Sequence, residues 1–329
     1  MAASRITKPR TRRMDMPPLR RRTRLGLVRL PRCGTSASGS RYTAFEFRVQ
    51  PLWAPQMSAL KWVALVLFGG ILNPVSAQDV DTLRVQVHGH EMVLYASGGG
   101  PTVVLEAGGG SSSRVWASVI PELAKHTRVV SYDRPGYGLS EPCDSTRTAS
   151  RIASELEAAL QGAGVERPYL VAGWSYGGAI ARVFAGAFPS QVAGLVLVDP
   201  APEDFYARAA REQPEEFTKE EEAYFPSLFT DSTRRAEQKE MAGYAASMEQ
   251  ARSSDAQHEK PTIVLIAGRN SSGPDPLSVI WTDELKKWTA RRPNAEVRVV
   301  DHSGHHIARD KPEAVIAAIL ELLRAESAK

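Results

Sequence analysis

The run Gly173-Trp174-Ser175-Tyr176-Gly177 constrains this chain more than any other feature. The apolar stretch 168–172 precedes it, and Gly178-Ala179-Ile180-Ala181-Arg182-Val183-Phe184-Ala185 follows. The pattern reads as a strand, a sharp turn and a helix whose small residues let it pack closely on a sheet. Side chains larger than hydrogen would clash at Gly173 and Gly177, and the strained turn lifts the Ser175 hydroxyl out of the sheet. The positive end of the next helix then lies beneath that hydroxyl.

A serine hydroxyl is a weak nucleophile at neutral pH and needs a base, which in turn needs an orienting acid. The base is sought near the C-terminus, in Asp301-His302-Ser303-Gly304-His305-His306. This segment leaves a strand at 296–301 and precedes a helix starting near Pro312, so its loop can swing over the elbow. His305, after Gly304, is the chosen base. His302, nearer the strand, reads as structural, and His306 as packing against a cap or the last helix.

Three further stretches accompany these: Asp133-Arg134-Pro135-Gly136-Tyr137-Gly138-Leu139-Ser140, then Gly194-Leu195-Val196-Leu197-Val198-Asp199, then Pro312-Glu313-Ala314-Val315. With the elbow and Ser303-Gly304-His305, they fall in the order and at the spacing of the α/β-hydrolase superfamily, which residues 80–325 resemble. The resemblance implies a serine hydrolase with Ser175 as nucleophile and His305 as base. It also implies an oxyanion hole of two backbone N–H groups. Tyr176, following the nucleophile, would supply one. The loop Ala107-Gly108-Gly109-Gly110-Ser111 would supply the other, placed at Gly109 with Gly108 and Gly110 as alternatives. Many relatives carry His-Gly where this chain has Ala107-Gly108.

The acid has two main candidates, with Glu203 and Asp204 as outsiders. Most relatives carry it shortly past the strand after the cap, a position held here by Ser271, with Asp275 four residues later. Other branches use the end of the preceding strand, which is Asp199. Asp199 is preferred and Asp275 is the alternative.

Strand-like runs at 82–87, 91–96, 102–105, 128–132, 169–172, 194–198, 262–267 and 296–300 alternate with helical patterns at 115–125, 148–161, 176–187, 282–290 and 312–325. The first two runs suit a hairpin across His88-Gly89-His90. The others are apolar enough for a parallel sheet buried on both faces. The expected fold is α/β: a mostly parallel eight-stranded sheet flanked by helices. Residues 201–260 break the alternation, with helical patterns at 202–211, 215–224 and 233–252, and read as a helical cap whose aromatic residues include Phe205, Tyr206, Tyr224, Phe225, Phe229 and Tyr244.

Residues 1–56 read as an Arg-rich extension, disordered or a misassigned start. Residues 57–77 have the layout of a signal peptide: Lys61, eleven apolar or Gly residues from Trp62 to Leu72, then Val75-Ser76-Ala77. Cleavage after Ala77 would export the chain to the periplasm or outside the cell; the alternative is an uncleaved N-terminal membrane anchor. Of 41 Lys and Arg and 37 Asp and Glu, residues 1–77 hold 14 and two. The remainder has 27 and 35, a net charge of −8, which offers nucleic acid no electrostatic footprint. Cys33 falls in the leader, leaving Cys143 alone and no internal disulfide.

The function expected is hydrolysis of an ester or related acyl bond, carboxylesterase- or lipase-like, on a small-molecule ester or amide substrate. The chemistry needs no metal and no organic cofactor. Relatives with dehalogenase or epoxide hydrolase chemistry use Asp where this chain has Ser175. The alternatives are a proline-iminopeptidase-like aminopeptidase and, from another class, a non-catalytic ligand-binding protein of the same fold.

Overall fold

In a computed structural model of the chain, residues 80–224, 231–257, 259–268 and 275–328 are described. The expected extension 1–56, the expected signal segment 57–77, the expected cap residues Phe225, Leu228 and Phe229, and Ser271 lie outside them.

Eight strands form one sheet: β1 (Asp81–Val87), β2 (His90–Ser97), β3 (Thr102–Glu106), β4 (Arg128–Asp133), β5 (Tyr169–Trp174), β6 (Val192–Val198), β7 (Thr262–Ala267) and β8 (Ala295–Val300). Their order is β1-β2-β4-β3-β5-β6-β7-β8. β1 and β2 form the expected hairpin, turned by His88 and Gly89 at φ +49° and +89°. A turn with both central residues left-handed matches the twist of the flanking strands. β2 also pairs antiparallel with β4, and every pair beyond it is parallel.

The helices among the described residues are α1 (Ile120–Leu123), α2 (Ala149–Gly162), α3 (Tyr176–Ala187), α4 (Phe205–Glu212), α5 (Pro214–Tyr224), α6 (Asp231–Ser254), α7 (Pro276–Thr289), α8 (Ile307–Asp310) and α9 (Pro312–Ser327). No helix among the described residues is long and apolar enough to cross a membrane. The pattern at 115–125 resolves into a 3₁₀ turn, Ser113–Trp116, followed by α1. Pro121 at the second position of α1 accounts for the restart, because it has no N–H to continue a helix. α7 begins six residues before the sequence pattern suggests. The Asp275 side chain caps it, accepting the Ser278 N–H at 2.8 Å, and Pro276 is its first residue.

Alternate residues of the central strands feed two cores. Val104 and Val171 join Ile152 and Leu156 of α2 and Ile180 and Phe184 of α3. Val103, Leu105 and Leu170 join Trp116, Leu123 and, from α9, Val315 and Ile319. That the central strands bury both faces explains why they read as continuous apolar runs. Helices α4, α5 and α6 form the insertion between β6 and β7. α6 lies close against the chain leading into α2: a Cβ on Gly243 would stand 2.4 Å from the Arg147 carbonyl oxygen.

The Asp133–Ser140 turn is tied down from several sides. The Asp133 carboxylate accepts the N–H groups of Ser113 and Leu139, each at 3.0 Å. Ser140 Oγ donates to the Asp133 carbonyl at 2.6 Å and accepts the Val93 N–H at 2.8 Å. This fixes Arg134 and Tyr137, both buried, at the carboxyl end of β4.

Candidate active site

Ser175 lies between β5 and α3 at φ +55°, ψ −123°, a region that L residues avoid. Such outliers collect at functional sites, where surrounding structure holds them. Ser175 N–H donates to the Val198 carbonyl at 3.1 Å, and its own carbonyl accepts from Gly178 and Ala201 at 2.9 and 3.0 Å. The flanking glycines are required by close backbone approach. A Cβ on Gly173 would lie 2.4 Å from the Gly177 carbonyl oxygen, and one on Gly177 2.5 Å from that of Ala107.

His305 Nε2 lies 3.0 Å from Ser175 Oγ, and His305 Nδ1 lies 2.6 Å from Asp199 Oδ2. Asp199 is fully buried at the end of β6, and its other oxygen accepts the Ala267 N–H at 3.1 Å. With Nδ1 donating to the carboxylate, Nε2 is left as the acceptor facing the serine. The structure therefore brings together Ser175, His305 and Asp199, the preferred acid. Asp275 serves as the α7 cap described above.

The two proposed oxyanion residues are neighbours: a Cβ on Gly109 would stand 3.6 Å from Tyr176 Cβ. Neither amide donates to a protein acceptor among the described residues. The Tyr176 N–H is one of the orphaned first-turn donors of α3. Gly110, an alternative, donates to Glu240 Oε2 at 3.4 Å. Gly108 faces the elbow itself, where a Cβ would sit 2.7 Å from the Trp174 ring.

The other two histidines of the loop take different places. His302 is an exposed left-handed turn residue at φ +57°. His306 packs on Trp174, ring centroids 4.5 Å apart, instead of on the cap or the last helix. The reason lies in the elbow: Trp174 points its ring at the histidine loop and donates its indole N–H to the His305 carbonyl at 2.8 Å. Trp281 of α7 meets the His305 ring edge-on at 5.1 Å. These two tryptophans hold the His305 ring and its backbone, a role the sequence does not announce for either. Glu106 and Glu240 are equally silent in the sequence; with Arg134 of the Asp133–Ser140 motif they form a buried ion cluster under the Gly108–Gly110 loop. Two acids flanking a strand end and a helix interior carry no joint signal until the fold joins them.

Away from the elbow, His90, Cys143 and Glu155 bring ligand-type atoms within 4.8 Å of one another. Arg147 and Arg151 already occupy the Glu155 carboxylate at 2.5 and 2.7 Å. Those arginines supply the positive charge that a cation would bring.

A nucleophile elbow, a histidine loop and a strand-end carboxylate, all at the carboxyl edge of a mostly parallel sheet, are the parts of an α/β hydrolase. A sequence profile of the alpha/beta hydrolase family matches residues 103–318, and the chain belongs to that family. The Bacillus subtilis (strain 168) uncharacterized protein YqjL is 38% identical over 102 residues, 31% of this chain and 40% of its own length. A pimeloyl-(acyl-carrier protein) methyl ester esterase of Sodalis glossinidius is 39% identical over 101 residues, 30% of this chain and 37% of its length. The chain thus spans well under two thirds of these curated relatives. A thermophilic esterase from Thermogutta terrifontis aligns over 75% of this chain and 99% of its own, with TM-score 0.54 and 23% identity. A 2-hydroxy-6-oxo-6-phenylhexa-2,4-dienoate hydrolase from Rhodococcus sp. strain RHA1 aligns over 75% and 99%, with TM-score 0.56 and 19% identity. At such identities the likeness is one of fold.

Proposed function

We propose that this chain is an exported serine hydrolase that cleaves an ester or related acyl bond through an acyl-enzyme. The carrying observation is the unbroken chain of contacts from Ser175 Oγ through His305 to Asp199, made across 130 and 106 positions of sequence. His305 Nε2 takes the Ser175 proton as Oγ attacks the acyl carbon. Asp199 keeps Nδ1 protonated and stabilises the imidazolium that forms. The amides of Tyr176 and Gly109 receive the developing oxyanion. His305 then gives its proton to the leaving alcohol, and a water activated by the same nitrogen releases the acid.

The esterase name of the Sodalis relative favours an acyl ester over an amide substrate. The export part of the reading rests on the sequence of residues 57–77 alone.

Hydrolysis of a p-nitrophenyl ester series from C2 to C12, with Ser175→Ala as control, tests the chemistry. Activity and serine-directed phosphonate labelling are expected in the parent protein and absent from the variant. Turnover that survives Ser175→Ala would sink the assignment.

A further inference from the structure

We propose, resting on the serine-hydrolase reading, that Arg134 is the positioning residue of the oxyanion hole and that Glu240 makes its grip depend on how helix α6 is seated. Arg134 is 1% exposed, yet every guanidinium nitrogen is engaged. Nη1 donates to Glu106 Oε1 at 2.6 Å and to the Ala107 carbonyl at 2.8 Å. Nη2 donates to the Gly108 carbonyl at 2.6 Å, and Nε to Glu240 Oε1 at 2.7 Å.

The Gly108 contact sets the direction of the neighbouring amide. A peptide unit is planar and trans, so its C=O and N–H point in opposite directions. The Gly108 carbonyl belongs to the same unit as the Gly109 N–H. Fixing the one on the Arg134 side of the loop therefore fixes the other on the far side, where Tyr176 begins α3. Gly108-Gly109-Gly110 has more backbone freedom than any other tripeptide in the site. The loop cannot be stiffened from within at Gly108, because a side chain there would strike Trp174 at 2.7 Å. Within the loop the Gly108 carbonyl also accepts the Ser111 N–H, but at 3.3 Å, and Ser111 Oγ donates to the Gly109 carbonyl at 3.4 Å. The short bond at 2.6 Å comes from Arg134, outside the loop, and an oxyanion donor is effective only when its direction is set beforehand.

An arginine suits this task and a lysine does not. The planar fork reaches two carbonyls and two carboxylates at once, whereas an ammonium is a single compact charge. The partners are themselves held. The Tyr132 hydroxyl donates to Glu106, and that of Tyr137 donates to Glu240 Oε2 at 2.9 Å.

Glu240 adds a second property. It lies on α6, 106 residues beyond Arg134 and outside the sheet scaffold, and it also accepts the Gly110 N–H at 3.4 Å. When α6 is seated, Arg134 is neutralised from both sides and the loop is clamped at Ala107, Gly108 and Gly110. When α6 shifts, the guanidinium loses one carboxylate and Gly110 loses its acceptor. Placement of the helical insertion and readiness of the oxyanion hole are thereby one event.

The test uses the full chain with Arg134→Lys and Glu240→Gln. Arg134→Ala is avoided, because it strands two buried carboxylates. Three readouts are taken: kcat and KM on a p-nitrophenyl ester, inhibition by a trifluoromethyl ketone that forms a tetrahedral adduct on serine, and hydrogen exchange of the glycine amides at 108–110. Arg134→Lys is expected to lower kcat by about 10²- to 10³-fold, the usual effect of losing one oxyanion donor, with KM little changed. Ketone affinity should fall in parallel and loop exchange should quicken. Glu240→Gln should move all three the same way by less, which keeps the test open if the lysine variant does not fold. A folded Arg134→Lys with parental kcat and parental exchange overturns the clamp while leaving the hydrolase reading intact. Loss confined to KM overturns it too. A parent protein that neither hydrolyses esters nor takes the phosphonate, but shows the exchange response in both variants, overturns the hydrolase reading and leaves the loop clamp.

Discussion

Asp199 Oδ2 sits 2.6 Å from His305 Nδ1, and the backbone that presents it is left-handed at φ +42°. Its N–H is pinned to the Leu265 carbonyl at 2.7 Å, which ties the turn to the neighbouring strand β7. Asp275 has no such place: its carboxylate caps α7. Asp199→Asn should therefore cost roughly 10⁴-fold in kcat by allowing the wrong histidine tautomer. Asp275→Ala should leave kcat within a few-fold and lower stability by about 1 kcal/mol, the usual worth of an N-cap. Steady-state rates on one ester and urea midpoints of both variants check this. A large rate loss in Asp275→Ala would displace Asp199 from its role.

Ser175 is in a backbone conformation that glycine adopts freely and serine does not. Ser175→Gly should consequently be inactive and more stable than the parent, by about 1 to 3 kcal/mol. Ser175→Ala should be inactive with no such gain, since alanine keeps the Cβ that causes the strain. Urea unfolding of the three proteins decides. Equal stability of the Gly and Ala variants would show that the turn is not strained.

The difference between what the chain announces and what it conceals follows from distance along the sequence. The elbow is readable because the need for glycine at 173 and 177 is local, set by carbonyls 2.4 and 2.5 Å from the missing Cβ atoms. The parallel strands are readable because burial on both faces makes them uniformly apolar. The acid is ambiguous from sequence because Asp199 and Asp275 both follow strands at the same edge, and only the fold decides which one meets His305. Arg134 reads as part of a turn motif and Glu240 as one charge among many on α6. Their pairing across 106 residues has no periodic signature. The grip of Trp174 on the His305 carbonyl is hidden in the same way.

A second buried arginine holds the foot of the insertion. Arg182 of α3 is 3% exposed and pairs with Glu203 and Asp255. Its guanidinium also lies over the Trp288 ring, 4.5 Å from the centroid. Arg182→Met would leave Glu203 buried without its cation, whereas Asp255 keeps Arg292 and the Trp288 indole N–H at 2.8 Å. Removing one partner of a buried pair costs about 3 to 5 kcal/mol, and the residual partners of Asp255 place this case at the lower end. Adding Glu203→Gln to Arg182→Met should recover part of the loss. If the double variant is no more stable than the single one, the buried-charge explanation fails. Chemical denaturation of the single and double variants measures it.

His90 makes the fold less stable as pH falls below neutrality. It is 5% exposed at the start of β2, and its Nε2 has no partner among the described residues. Burial pushes the imidazole below its usual 6.5, with Arg147 and Arg151 adding to the shift and Glu155 opposing it. The unfolded chain, titrating near 6.5, thus binds more protons than the folded one over the interval below that pH. The contribution is fully present above about pH 6.5 and is lost as pH falls through the lowered folded value. A single such group changes unfolding free energy by at most about 1.4 kcal/mol per pH unit in that window. Replacing it with an isosteric neutral side chain, His90→Gln, removes the titration. Urea midpoints followed from pH 7.5 to 5 should fall more steeply for the parent than for the variant. Above pH 7 the two curves should run parallel, whatever constant offset the glutamine introduces. Curves that stay parallel throughout would mean that His90 carries the same charge folded and unfolded.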